Sequence, residues 1–254
     1  MNILHLTDLH FTHDVPAEQS KEKWERVARG IEKGCEGRKI DVVAVTGDFS
    51  YHASREEFDR VEVFLQDVLT RLGLSRQQVL MCAGNHDSDT EEMYSAFDHY
   101  AAFAERFYGD NPPYYHLELE EKHHKNIVQA RFGFVSVNTC HETSLELYER
   151  ATFPVEDYQK IEELADGEVG ILMIHHPPET IGNQDILEKI MDSGKIQLIL
   201  SGHQHMSLPR LYKAGDIAVI GGMAISPHRK WMVAGCQLVS IKSDGKVRVK
   251  RIDL

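Results

Sequence analysis

Residues 40–48 read IDVVAVTGD, an unbroken Val-rich run that stops on Gly47 and Asp48. A run without polar alternation is the pattern of a strand covered on both faces, as in parallel sheets packed between other layers. In open α/β sheets, ligands lie beyond the carboxyl ends of the strands, so the carboxylate at the end of this run matters. The same design recurs four times. Residues 3–10 read ILHLTDLH, 79–87 VLMCAGNHD, 170–176 GILMIHH and 198–205 LILSGHQH. Five apolar strands ending in Asp, Asn or His would deliver those side chains to one rim.

Between these runs the apolar period is helical. Trp24, Val27, Ala28 and Ile31 share one face of a helix predicted over 18–34. Phe58, Val61, Leu65, Val68 and Leu72 mark another over 54–72, where Ser54 and Glu57 make a capping box. Further helices are predicted over 91–107, 156–164 and 185–191, and further strands over 115–119, 127–130 and 132–138. Two hairpins follow, 211–213 with 217–220 around Ala214-Gly215, and 236–241 with 246–252 closed by Ser243-Asp244-Gly245. With no repeat, low-complexity tract or linker, residues 1–254 read as one α/β domain with mixed sheets.

Composition narrows the function classes. The 254 residues are 42% hydrophobic and 27% charged, too apolar for a disordered chain. Asp and Glu number 40 against 28 Lys and Arg, a net charge of −12. That surface repels polyphosphate backbones and anionic membranes, so nucleic acid is an unfavoured partner and a small phosphorylated substrate a permitted one. Cys35, Cys82, Cys140 and Cys236 are dispersed, without a Cys-x-x-Cys pair, which fits a reducing compartment. The first residues, MNILHLTDLHFTHD, lack a basic signal-peptide start, and no apolar run of about 18 residues offers a membrane span. The expectation is a cytoplasmic protein without a membrane partner. Its oligomeric state is not readable.

The pooled rim set is Asp8, His10, Asp48, Asn85, His175, His203 and His205. Asp8 and His10 stand two apart, as do His203 and His205, so in extended chain each pair shares a face and could serve one ion. Gly47, Gly84 and Gly202 precede the polar residues where the chain turns sharply or comes close to an ion. Seven donors are too many for a four-coordinate zinc site. Two ions sharing a carboxylate fit better, with N/O ligation suited to Mn²⁺, Fe²⁺ or Zn²⁺.

These motifs, DLH at 8–10, GD at 47–48, GNHD at 84–87, HHPP at 175–178 and GHQH at 202–205, in this order, resemble the calcineurin-like metallophosphoesterase superfamily. The resemblance implies a two-sheet αββα sandwich over the whole chain. It implies one metal on Asp8, His10, Asp48 and His205, and a second on the bridging Asp48 with Asn85, His175 and His203. It places His86 beside the substrate, with Asp87 orienting it, and implies attack by a metal-bound hydroxide. His175 is preferred to His176 because it follows the strand directly and stands two before Pro177. Within the superfamily, the short chain looks most like the cyclic-nucleotide and glycerophosphodiester phosphodiesterase branch. The alternatives are a phosphomonoesterase or nuclease of the same superfamily, and a non-catalytic metal-binding scaffold. Of the other histidines, His5 reads as a sheet residue, while His13, His52 and His141 follow site motifs in loops and are candidates for substrate contact. Arg150 and the basic island at 227–230 read first as solvated surface.

Overall fold

Alternation along single strands sets the layers. In β1 (Asn2–Leu6), Leu4 and Leu6 join a cluster with Trp24, Ala28 and Phe64, while Ile3 joins a different one with Phe132, Met173 and Leu200. β2 (Val42–Thr46) divides in the same way, Val43 and Val45 to the first cluster, Val42 and Ala44 to the second. The first cluster lies under α1 (Ala17–Cys35), α2 (Arg55–Leu72) and α3 (Asp98–Tyr108). The second lies between the sheets. A third, with Leu172, Ile174 and Val219 of the far sheet, is covered by α4 (Tyr158–Glu162) and α5 (Gln184–Asp192). The computed structural model, which describes residues 1–88, 97–123, 126–140, 151–226 and 233–254, is therefore an αββα sandwich, as the resemblance implies.

The first sheet has five strands, ordered β11-β10-β1-β2-β3, with β3 at Val79–Cys82, β10 at Gly235–Ile241 and β11 at Val247–Asp253. The second has six, ordered β4-β5-β6-β7-β9-β8. Its strands are β4 (His116–His123), β5 (Asn126–Ser136), β6 (Val169–Met173), β7 (Ile196–Met206), β8 (Arg210–Ala214) and β9 (Ile217–Met223). Both sheets are mixed: β1-β2-β3 and β5-β6-β7-β9 run parallel, and the hairpin partners β10-β11, β4-β5 and β8-β9 antiparallel. Both expected hairpins form. α2 carries the expected capping box, the Ser54 hydroxyl accepting from Glu57 N–H and the Glu57 carboxylate from Ser54 N–H.

Three expectations change. The strands predicted over 127–130 and 132–138 are one strand, β5, because inward and outward residues keep alternating through exposed Arg131 between buried Ala130 and Phe132. The helix predicted over 156–164 shortens to α4, behind a 3₁₀ turn at Val155–Asp157. Of the helix predicted over 91–107, the described part is α3, and residues 89–96 lie outside the described residues. Among the described residues, no helix is long and apolar enough to cross a membrane.

Candidate metal centre

The five motifs meet where the two sheets end on the same side. β1, β2 and β3 of the first sheet lead into Asp8 and His10, Asp48, and Asn85; β6 and β7 of the second supply His175, His203 and His205. The pairs do not converge in extended chain. Asp8 (φ 52°), His10 (φ 47°), Asp48 (φ 53°), His203 (φ 69°) and His205 (φ 47°) are all left-handed, a conformation that side-chain-bearing residues seldom adopt. Such strain persists only where surrounding bonds impose it. Here Asp8 N–H donates to Gly47 O at 3.1 Å and His10 N–H to Asp48 O at 2.9 Å, tying the two loops together. Close approach makes two glycines obligatory. A Cβ on Gly84 would stand 2.3 Å from Asp48 N and Oδ1, and one on Gly202 2.0 Å from Thr7 Oγ1.

The donors form two groups joined at Asp48. Donor atoms of Asp8, His10, Asp48 and His205 lie within 4.8 Å of one another. His10 Nε2 is 3.0 Å from His205 Nε2, and His205 Nε2 is 3.3 Å from Asp8 Oδ1. In the other group, Asn85 Oδ1 is 3.0 Å from both His175 Nε2 and His203 Nδ1. Asp48 Oδ2 stands between them, 3.6 Å from His10 Nε2 and 3.4 Å from His175 Nε2. The sequence pair His203 and His205 is thus split, His203 toward Asn85 and His205 toward His10. His175 Nδ1 donates to Thr46 O at 2.8 Å, which turns Nε2 toward Asn85 and Asp48. His176 instead turns to Thr139 Oγ1, 3.0 Å from its Nδ1.

The electrostatics suit a cation. Asp8 and Asp48 are buried, and among the described residues Asp8 Oδ2 and Asp48 Oδ2 accept no hydrogen bond. Burial works against both charges, yet the surrounding histidines hold the two carboxyls below the usual range, Asp48 far below it. Burial drives His10 down to about 3 and His203 to about 4, so both are neutral imidazoles at neutral pH. His175 goes the other way. Burial opposes its charge, but the Asp48 carboxylate outweighs that and lifts it to about 9. Carboxylate, amide and imidazole donors with two unclaimed buried oxygens fit divalent cations.

His86 lies at the mouth of the centre. Its N–H donates to Asp48 Oδ1 at 2.9 Å, its Nδ1 is 3.0 Å from Tyr51 O, and its ring stacks on Tyr51 at 5.0 Å and meets His10 edge-on at 4.8 Å. Asp87 does not orient that ring. Its Oδ1 accepts from Ser50 N–H and Oγ–H, each at 3.0 Å, and Oδ2 accepts from Gly84 N–H at 2.9 Å, so it braces the turn that carries Asn85 and His86. Burial first, then Asp48, pushes its carboxyl up to about 7. Two further residues shape this rim, Tyr51 beside His86 and Glu57 beneath His13. The sequence signal for Tyr51 is its place three residues after Asp48, whereas Glu57 shows in the sequence only as a helix cap. His13 and His52 stand together at the rim, their ring centroids 5.0 Å apart. His5 is a satisfied sheet residue, bonded through Thr46 Oγ1 and Gln237 Nε2. His141, Arg150 and the basic island at 227–230 lie outside the described residues.

The family model of calcineurin-like phosphoesterases matches residues 1–207, a span that contains every donor named above. The chain belongs to the calcineurin-like phosphoesterase family. Among solved structures, this chain is similar to GAP50, the anchor in the inner membrane complex of Plasmodium, with a TM-score of 0.58 and 11% identity over 100% of this chain and 89% of that one. It is also similar to the Thermus thermophilus sulfate thiohydrolase SoxB, with a TM-score of 0.53 and 15% identity over 99% of this chain and 56% of that one. Identities this low speak for the fold, and an anchor and a hydrolase sharing it means that activity must be argued from the site. The comparison with curated proteins finds no match.

Proposed function

We propose that this calcineurin-like phosphoesterase hydrolyses a small phosphodiester, of cyclic-nucleotide or glycerophosphodiester type, at a centre of two divalent cations drawn from Mn²⁺, Fe²⁺ and Zn²⁺. The observation that carries this reading is the pair of buried oxygens, Asp8 Oδ2 and Asp48 Oδ2, that accept no hydrogen bond although imidazoles surround them. Buried carboxylates without full partners cost several kcal/mol in roughly any protein interior, and a cation removes that cost. Asp8, His10, Asp48 and His205 would hold one cation, and Asp48, Asn85, His175 and His203 the other. When bound, such cations neutralise phosphoryl oxygens and acidify water.

The rest falls to the chain's own residues. Thr46 O fixes the tautomer of His175, and the Tyr51 carbonyl fixes the ring of His86. His86 would stabilise charge developing on the phosphoryl group or give a proton to the leaving oxygen, and Asp87 would keep its turn in place. The net charge of −12 favours a small substrate over a polymeric polyanion. All four cysteines are free and buried, which supports a reducing, cytoplasmic setting.

Metal-stripped protein is to be assayed with Mn²⁺, Fe²⁺ or Zn²⁺ on bis-p-nitrophenyl and p-nitrophenyl phosphate, with bound metal measured in parallel. Diester turnover above monoester is expected, and the reverse order makes the protein a phosphomonoesterase. Asp48→Asn should lose most of both metal and activity. His86→Ala should keep its metal and lose about 10²–10⁴ in turnover, the range of a positioned acid–base group. Absence of metal binding in the wild-type protein would refute the enzyme and favour a scaffold.

A further inference from the structure

His13, Asp14 and His52 stand outside both groups of donors. One donor atom from each lies within 4.8 Å of the other two. His52 Nε2 is 3.2 Å from Asp14 Oδ2, and His13 Nε2 is 4.0 Å from Asp14 Oδ1. Taken alone, a half-exposed His–Asp–His cluster is ordinary surface. What distinguishes this one is the carboxylate beneath it. Glu57 is fully buried, and its Oε1 accepts from the backbone N–H of His13 at 3.1 Å and from the ring Nδ1–H at 3.0 Å. Its Oε2 accepts from the N–H of His52 at 2.9 Å and of Ser54 at 3.3 Å.

One buried carboxylate thus clamps both loops that carry the three donors. Anchoring the loops needs only the backbone bonds. The additional bond to the ring fixes a tautomer, and that matters only for what Nε2 does. With Nδ1–H given to Glu57, the lone pair of His13 sits on Nε2, facing Asp14. This carboxylate–imidazole relay is the arrangement that orients metal-bound histidines. Thr12 Oγ–H, donating to Asp14 Oδ2 at 3.0 Å, steadies the third donor in the same way.

We infer that His13, Asp14 and His52 form a peripheral site for one divalent cation of the zinc type, separate from the centre built on Asp8 and Asp48. Two imidazole nitrogens and one carboxylate are donors that Zn²⁺ takes at about 2.0–2.2 Å, with a fourth position open. Tetrahedral ligands at that bond length stand roughly 3.3 Å apart. The separation between His52 and Asp14 already matches, and His13 Nε2, 4.0 Å from Asp14 Oδ1, needs a shift of less than about 1 Å while its Nδ1 stays on Glu57. The His52 ring is 4.7 Å from that of Tyr51, which stacks on His86, so the cation lies one side chain from the mouth of the centre. A cation held there would add positive charge beside the mouth, a role that sequence reading gives to the imidazoles themselves.

The test is calorimetric titration of tag-free, metal-stripped protein with Zn²⁺, comparing wild type with His52→Ala and Asp48→Asn with Asp48→Asn/His52→Ala. The readout is the difference within each pair, so it does not depend on whether the main centre binds as proposed. One equivalent fewer on loss of His52, with unchanged far-ultraviolet circular dichroism, is the expected result. Equal stoichiometry within both pairs overturns the site. Glu57→Gln, whose single remaining acceptor oxygen cannot serve both the His13 and the His52 loop, should lower affinity for that one equivalent by about 10–100-fold. An unchanged affinity would refute the role assigned to Glu57 and with it the argument for the site.

Discussion

The centre is built on residues that are individually uncomfortable. Left-handed backbone at Asp8, His10, Asp48, His203 and His205 costs about 1–3 kcal/mol per residue, and buried His175 carries a proton beside a carboxylate. That proton makes metal binding depend on pH with a definite sign. A cation needs neutral Nε2 on His175, so below pH about 9 binding must expel the proton, and affinity should climb with pH and level off above that value. His205, where burial is outweighed by the Asp8 carboxylate, is also shifted up and adds in the same direction. His10 and His203, at about 3 and about 4, are already neutral and add nothing above pH roughly 6. Calorimetry near neutral pH, in buffers of different ionisation heat, should record protons released on Zn²⁺ binding and fewer in alkaline buffer. Equal release in both would contradict a protonated His175 in the metal-free protein.

At the scale of elements, the decisive departure from regularity is in β7. Its pairing with β9 runs from Leu198↔Ala218 to Ser201↔Gly221 and resumes at Met206↔Met223, so Gly202–His205 face Gly222 alone. The extra length is pushed toward the first sheet, and His203 and His205 reach different partners because of it. Gly202→Ala should lower metal affinity at least about tenfold, because a Cβ there meets Thr7 Oγ1 and the Thr46 carbonyl, while strain of this kind costs about 1–3 kcal/mol in stability. Metal titration and urea unfolding of the variant test this together, and wild-type affinity would mean that the bulge is not held by that contact. The bulge also marks where sequence reading stopped. Apolar runs ending in Asp, Asn and His were legible, as were the helical stripes and both hairpins. GHQH looks like a strand end because polar residues at a bulge and past a strand are alike in composition. Positive φ at histidines leaves no mark in residue type, whereas Gly84 and Gly202 did announce close approach. The service of Asp87 to Ser50 and Gly84, and of Glu57 to His13, depends on loops that meet only in three dimensions.

For the whole molecule, the first sheet supplies Asp8, His10, Asp48 and Asn85, and the second His175, His203 and His205. Cations held by both would bridge the two halves of the sandwich as well as serve chemistry. Saturation at about 100 times the dissociation constant adds about 2.7 kcal/mol per site, which raises Tm by roughly 5–10 °C for a chain of this size. Differential scanning with and without chelator should show that shift, reversed by adding metal back, and an unchanged Tm would deny that the folded chain holds the cations. The strand order has another consequence, for synthesis on the ribosome. β1 is an interior strand whose neighbours are made far apart in time, Leu4 pairing with Val43 on one side and with Leu238 on the other. At about 5–20 residues per second, roughly 10–40 s separate the emergence of those two partners. A growing chain that pairs β1 with β2 at once would present a bare sheet edge through that interval, the kind of surface that invites pairing with another nascent copy. All seven rim donors are therefore made before the strand that locks the first of them in place.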